Sequence, residues 1–330
     1  MIGDSLTLPC AKTAGLPRMT ILLASLDGMP YLPHQVASIA AQHGVDLRLI
    51  VSDDGSKDGT AAYLDQLRNR CAPGRVQVLR GPGQGYAANF ASLVRNTPDD
   101  AGFVAFSDQD DYWQPNRLLR AAKSMSSIAI HPAIHVVARQ ITDTDLNPRG
   151  LWKLPVDRLE FRNALVESVL SGNATVMNPH AFALLKAAFT NHPSVSSHDW
   201  AMYQILAGAE ATLHLDPDAL VLYRQHNRNT VGAGKNLKWA RQRFARVIGG
   251  AYGRALSENL AFLKSNQSLL TTRNQQILDQ SEGISAPGLR DRLTAMHQVR
   301  PYRLRRGDQL ALWAGVMTNA IPPRPIRAVN

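Results

Sequence analysis

The strongest constraint on this chain is an alternation of short apolar runs with stretches of helical periodicity, carried through four strands between Met19 and Asp111. "MTILLAS" (19–25), "LRLIVSDDGS" (47–56), "RVQVLRG" (75–81) and "AGFVAFSD" (101–108) read as buried strands that end in polar or turn residues. "YLPHQVASIAAQH" (31–43), "DGTAAYLDQLRNR" (58–70) and "GYAANFASLVRNT" (85–97) carry apolar residues at helical spacing, with Asp58 as the expected N-cap of the second. Helices alternating with strands in this way cross over a parallel sheet and cover both of its faces. In such sheets ligands bind beyond the carboxyl ends of the strands. Three of these ends are polar clusters, Ser25–Asp27, Asp53–Ser56 and Ser107–Asp111, so the chemistry is expected along one rim.

Beyond about residue 130 the pattern is mixed. "AIHVVARQITD" (133–143) reads as a strand, and residues 161–189 as helix, turn, strand and helix. "SSHDWAMYQILAGA" (196–209) opens a helix, and residues 211–226 give short strands around an Asp-Pro-Asp turn. From Asn236 the chain reads as helical and basic, with few breakers before Pro287. The expected organisation is an extension (1–18), a main domain (19–235, in halves 19–115 and 116–235) and a basic helical region (236–330). At 330 residues and 45% hydrophobic, the chain can bury a core of that size. No run reaches the roughly 20 apolar residues of a membrane span, and the first eighteen residues lack a secretory pattern. Cys10 and Cys71 make neither a disulfide framework nor a zinc spacing, which fits a reducing cytoplasm.

"FSDQDD" (106–111) places three carboxylates in four positions after an apolar run. Like charges at such spacing repel. Hard divalent cations take oxygen ligands, commonly one or two carboxylates plus substrate phosphates, so Asp108 and Asp110 are candidate ligands of Mg²⁺ or Mn²⁺. The competing reading is an acidic turn before the helix at "QPNRLL". Asp53 and Asp54 at the second strand end can accept from a nucleobase or a ribose hydroxyl, or merely form an Asp-Gly turn. Gly81, Gly83 and Gly85 match neither a phosphate loop nor a dinucleotide fingerprint. Asp199, beside His198, is either a helix cap or a base for an attacking hydroxyl. "YRQHNRNTVG" (223–232) gathers Arg224 and Arg228, able to grip phosphate oxygens, around His226, a candidate metal ligand.

Taken together, "VSDDGSKDGT", "GQGYAANF", "FSDQDDYWQPNRL", "SGNATVMN", "HDWAMYQIL" and "YRQHNRNTVG" resemble, in order, the motifs of family-two glycosyltransferases, most of all the bacterial rhamnosyltransferase-type branch. The resemblance covers about residues 19–235. It departs at Ala24-Ser25-Leu26-Asp27-Gly28, where the family usually reads Ala-Thr-Tyr-Asn-Gly. It implies an α/β fold of the GT-A kind, Rossmann-like with a mostly parallel central sheet flanked by helices, here with a basic helical C-terminal extension. It also implies inverting transfer from a nucleotide-sugar, dTDP-L-rhamnose or a UDP-sugar, to a bacterial cell-surface glycan on a lipid carrier, with Mn²⁺ or Mg²⁺ as cofactor. Carried over, Ser25, Asp27, Asp53, Asp54, Gly85, Asn89, Asp108, Gln109, Arg224 and Asn229 would face the donor. Asp108, Asp110 and His226 would face the metal. Gly172, Asn173, His198 and Trp200 would face the acceptor, and Asp199 would be the catalytic base.

Two other classes are consistent with the same residues: a non-catalytic binding protein of this fold, and a sugar nucleotidyltransferase. The net charge of +10, concentrated after residue 223, suits anionic partners. Aromatic residues are sparse in that region, which disfavours nucleic acid. "PYRLRRGDQLALWAGVMTNAI" (301–321) joins a basic cluster to an apolar segment. It reads either as a peripheral contact (300–330) with the inner face of the cytoplasmic membrane, or as a core helix or homodimer contact.

Overall fold

The computed structural model describes residues 8, 15–128, 130–153, 159–192, 194–227 and 251–318. Its chain forms two compact units. The first takes its described residues from Met1–Leu154, Leu170–Pro193 and Ala211–Gly232; the second takes them from Pro155–Val169, Ser194–Glu210 and Ala233–Asn330.

The first unit is built on a sheet of nine strands among the described residues: β1 (Arg18–Ser25), β2 (Asp46–Asp53), β3 (Val76–Arg80), β4 (Phe103–Ser107), β5 (Tyr112–Trp113), β6 (Ala133–Thr142), β7 (Pro148–Trp152), β8 (Thr175–Met177) and β9 (Thr212–Arg224). Their order is β3-β2-β1-β4-β8-β6-β9-β5, with β7 paired to β6. The strands anticipated from the alternation, β1 to β4, pair in parallel. Met19, Ile21, Leu22 and Leu23 of β1 and Val104, Ala105 and Phe106 of β4 are fully buried, as strands covered on both faces must be. The other half is mixed: β8 runs antiparallel to β4 and β6, and β6 and β9 run parallel. Helices α1 (Leu32–Ala40), α2 (Thr60–Arg70), α3 (Tyr86–Asn96), α4 (Arg117–Met125) and α5 (Pro179–Asn191) flank the sheet. β2 lies on one side of β1 and β4 on the other. The strand order therefore reverses at β1, and in open sheets of this kind ligands bind beyond the carboxyl ends of the strands at such a reversal.

Local chemistry sets several boundaries. Asn178 caps α5, its Oδ1 accepting from Ala181 N at 2.9 Å and Ala133 N at 3.0 Å, with Pro179 at the first helical position. The cap expected at Asp58 falls instead on Gly59, which is left-handed at φ 94°. Asp58 still accepts from Thr60 N at 3.1 Å, and its other oxygen accepts from Met29 N at 3.0 Å, tying α2 to the loop after β1. The short strands expected around Asp216-Pro217-Asp218 are one long strand, β9. Its register against β6 slips between Val137 and Arg139, a bulge that accommodates a proline lacking an N–H.

The second unit is helical: a single turn (Phe161–Ala164), then α6 (His198–Gly208), α7 (Ala251–Ser265), α8 (Thr272–Ser281), α9 (Leu289–Val299) and α10 (Arg306–Met317). α6 is apolar around most of its circumference and is buried accordingly, with Ala201, Met202, Ile205 and Leu206 in its core. Trp200 Nε1 donates to Ala164 O at 2.7 Å, Tyr203 Oη to Asn163 Oδ1 at 2.9 Å, and Tyr252 Oη to Val166 O at 2.7 Å. Asn274 Nδ2 donates to Gly208 O at 3.0 Å, capping the end of α6. No helix among the described residues is long and apolar enough to cross a membrane.

Candidate active site

The rim of the first unit is assembled by side chains that hold loops to one another. Gln109 Oε1 accepts from Ser25 Oγ at 2.9 Å and Leu26 N at 2.8 Å, and its Nε2 donates to Leu26 O at 2.9 Å. A Cβ on Gly28 would stand 2.5 Å from that Oε1, so glycine permits the approach. Gln109 therefore joins the end of β4 to the loop after β1. Asp27, left-handed at φ 49°, donates its N–H to Ser56 Oγ at 2.8 Å and accepts from Lys57 N at 2.7 Å, joining the β1 and β2 loops. Asp53 accepts from the backbone and hydroxyl of Ser56. Asp54 accepts from Gly83 N at 2.7 Å and Gly85 N at 3.0 Å, so its carboxylate shapes the glycine-rich loop. A Cβ on Gly81 would meet Asp54 Oδ1 at 2.6 Å. Asn89 is buried, with Nδ2 donating to Ser52 O at 3.1 Å.

The acidic cluster after β4 has another character. Asp111 is fully buried, and its Oδ2 accepts from Asn173 Nδ2 at 2.6 Å. Its Oδ1 has no hydrogen-bond partner among the described residues. Burial, then the charges of Asp108 and Asp110, push the Asp111 carboxyl well above the usual carboxylate range. Arg117 is also fully buried, its guanidinium 3.7 Å from the Trp113 ring centroid and donating to Asn173 O at 2.6 Å. Burial lowers its pKa to about 9, against the opposing pull of Asp111. Asp110 Oδ2 lies 2.8 Å from His226 Nε2, and Arg224 Nε donates to Asp110 O at 3.0 Å. The His226 ring stacks on Tyr31 at 4.7 Å, and Arg224 lies 4.8 Å from that same ring centroid. The loop after β9 is thereby fastened to the Asp-x-Asp loop after β4.

Asn173, expected toward the acceptor, is only 3% exposed and serves the cluster instead: its Oδ1 accepts from Ser171 Oγ at 2.8 Å and Arg139 Nη1 at 3.4 Å while its amide holds Asp111. Gly172 opens the same buried turn. Asp199, His198 and Trp200 lie in the second unit. His198 Nε2 is 2.6 Å from Asp199 Oδ1, at the start of α6. Trp200 is a buried packing residue, stacked 6.3 Å from Tyr252. Asn229 and Arg228 lie outside the described residues.

Sequence reasoning missed Arg139, Tyr223 and Trp152. The Arg139 guanidinium sits between the Trp152 ring (4.9 Å) and the Tyr223 ring (5.0 Å). Tyr223 is pushed well above the ordinary tyrosine range by burial and then by the charges of Asp108 and Asp111. An arginine inside an apolar strand run was the available signal, since a buried charge needs a partner.

The donor set suits a hard cation. Oxygen ligands dominate, a buried carboxylate oxygen lacks a hydrogen-bond partner among the described residues, and burial, then the charges of Asp108 and Asp110, raises that carboxyl. Among the described residues no group of three histidine, cysteine or acidic side chains converges into a complete cation cage.

Residues 21–191 match the family model described as glycosyl transferase family 2. The dTDP-rhamnosyl transferase RfbG of Shigella flexneri is 23% identical over 223 residues, 66% of this chain and 75% of that protein. The succinoglycan biosynthesis protein ExoW of Rhizobium meliloti is 33% identical over 112 residues, 34% of this chain and 35% of that protein. Among solved structures, S. aureus TarS 1–349 in complex with UDP superimposes with a TM-score of 0.53 at 15% identity, covering 92% of this chain and 89% of that one. The last likeness establishes the fold, which is GT-A.

Proposed function

The chain belongs to glycosyltransferase family 2, and from that premise we propose that it moves L-rhamnose from dTDP-L-rhamnose, or a hexose from a UDP-sugar, onto a growing bacterial cell-surface glycan carried on a lipid. The rhamnosyl donor and the glycan acceptor are read from the similarity to RfbG and ExoW.

The observation that carries this reading is the fastening of His226 and Arg224 to Asp110, which assembles acidic, imidazole and guanidinium groups at the strand-order reversal. Asp108 and Asp110 would hold Mn²⁺ or Mg²⁺, which supplies charge to offset the leaving diphosphate. Arg224, and Arg228 beyond it, suit the phosphate oxygens. Asp53, Asp54, Ser25, Asp27 and the loop at Gly85 line the rim proposed for the nucleoside, with Asn89, Gln109 and Asn229 in support. Asp199 is proposed as the base that takes the proton from the acceptor hydroxyl as it attacks the anomeric carbon in line, inverting it. His198 Nε2 stands 2.6 Å from that carboxylate.

The test is a thermal-shift panel of UDP, dTDP, GDP and CDP, each with and without Mn²⁺. Binding to the folded state at a hundredfold excess over Kd stabilises by about 2.7 kcal/mol. A shift with dTDP or UDP that requires the cation and is lost in Asp110→Asn is expected. A folded sample that responds to none of the four overturns the reading.

A further inference from the structure

α10 uses only part of its circumference for packing. Leu312, Gly315 and Val316 are buried within its own unit. Leu310 is 71% exposed and Met317 50%, seven residues apart and so two turns along one stripe, with half-buried Trp313 and Ala314 between them. Buried Arg292 of α9 donates Nε to Val316 O at 2.8 Å. That bond sets the first half of α9, with exposed Leu289 and Leu293, at the carboxyl end of α10. Two adjacent helices thus present four large apolar side chains to solvent.

The rim of this surface is basic. Arg290, Arg300, Arg305 and Arg306 are exposed, against exposed Asp291 and half-buried Asp308 on the same helices. Arg305 is the N-cap residue of α10 and Arg306 its first residue, with no side-chain hydrogen bond capping the helix. Two arginines at the positive end of the helix dipole outnumber the single carboxylate of its first turn, Asp308, and favour a further anion beside them. We propose that the α9–α10 surface docks this protein onto an anionic membrane, with the stripe from Leu310 to Met317 in the acyl boundary and the arginines on lipid phosphates. Twelve residues of helix span about 18 Å, so α10 lies in the interface and does not cross it. A second copy of the chain is a poorer occupant, because against its four exposed arginines this surface offers one exposed aspartate, Asp291, and half-buried Asp308 as partners. This inference stands apart from the catalytic reading.

The experiment is co-sedimentation of the full chain with vesicles of phosphatidylcholine alone or mixed with phosphatidylglycerol. Partitioning is expected only into the mixed vesicles, and it weakens as salt rises. Arg305→Gln with Arg306→Gln is expected to lower partitioning roughly 25-fold, about fivefold per arginine. Leu310→Asp with Met317→Asp is expected to abolish it at an unchanged Tm, both positions being exposed; Leu310→Ala provides a milder variant that weakens partitioning. Failure of the wild-type chain to sediment with mixed vesicles overturns the proposal. So does equal sedimentation with both vesicle types, or a dimer in sedimentation velocity that Leu310→Asp converts to monomer.

Discussion

Two strand ends on the same rim carry neighbouring aspartates, and they do opposite things. At the end of β2, Asp53 and Asp54 are met by hydroxyl and backbone N–H donors from Ser56, Gly83 and Gly85. At the end of β4, Asp108, Asp110 and Asp111 crowd together, and the buried Asp111 is satisfied on one oxygen only. The first pair builds a loop, while the second cluster keeps one buried carboxylate oxygen, Asp111 Oδ1, without a hydrogen-bond partner among the described residues. Similar sequence motifs therefore differ in what reaches their carboxylates, and that difference separates scaffold from proposed chemistry.

The contrast breaks most readily at the second cluster. Asp110→Asn, which keeps shape and removes charge, is expected to lower kcat/KM on the order of 10³-fold with Tm little changed, as steady-state transfer assays will measure. Next is its support. Asn173→Leu leaves buried Asp111 without its amide donor and Ser171 and Arg139 without the Oδ1 they donate to, while the backbone carbonyl that Arg117 uses is kept, and urea unfolding should show a loss of about 3 kcal/mol.

A buried carboxylate whose charge is met serves as the control. Asp216 receives Arg120 Nη2 at 2.8 Å and faces His135 Nε2 at 3.3 Å. Burial depresses the His135 pKa to about 4, below its unfolded value of about 6.5, despite Asp216 opposing the shift. The unfolded state then binds more protons between those values. The stability contribution is present above about pH 6.5 and is lost as pH falls toward 4, by at most about 1.4 kcal/mol per unit. Urea titrations at pH 7.5 and 5 should show that loss, and His135→Gln should flatten it. The smallest effect belongs to the scaffold pair: Asp54→Ala frees two backbone N–H groups on an exposed loop, raising the KM of the nucleotide-sugar roughly tenfold with kcat nearly kept.

Much of the first half was legible because its determinants are local. β1 to β4 and their helices follow from period and turn residues within about ten positions of each other. The rim location follows from where the apolar runs stop. His226 and Arg224 were legible as residues, but their bond to Asp110, across more than a hundred positions, was not. Arg139 was missed because its partners, Trp152, Tyr223 and Asn173, come from three separate segments.

What the sequence by itself determined is therefore the parallel half-sheet, the rim at the carboxyl ends of its strands, and the carboxylates stationed there. All of these rest on hydrophobic period and on turn chemistry, which act between near neighbours. The tertiary structure alone decided that β8 runs antiparallel to its neighbours, that residues 161–169 and 196–209 pack with the C-terminal helices, and that Asn173 turns inward to hold Asp111. Those outcomes depend on which distant surfaces can be buried together with their polar groups satisfied, and no local pattern encodes that choice.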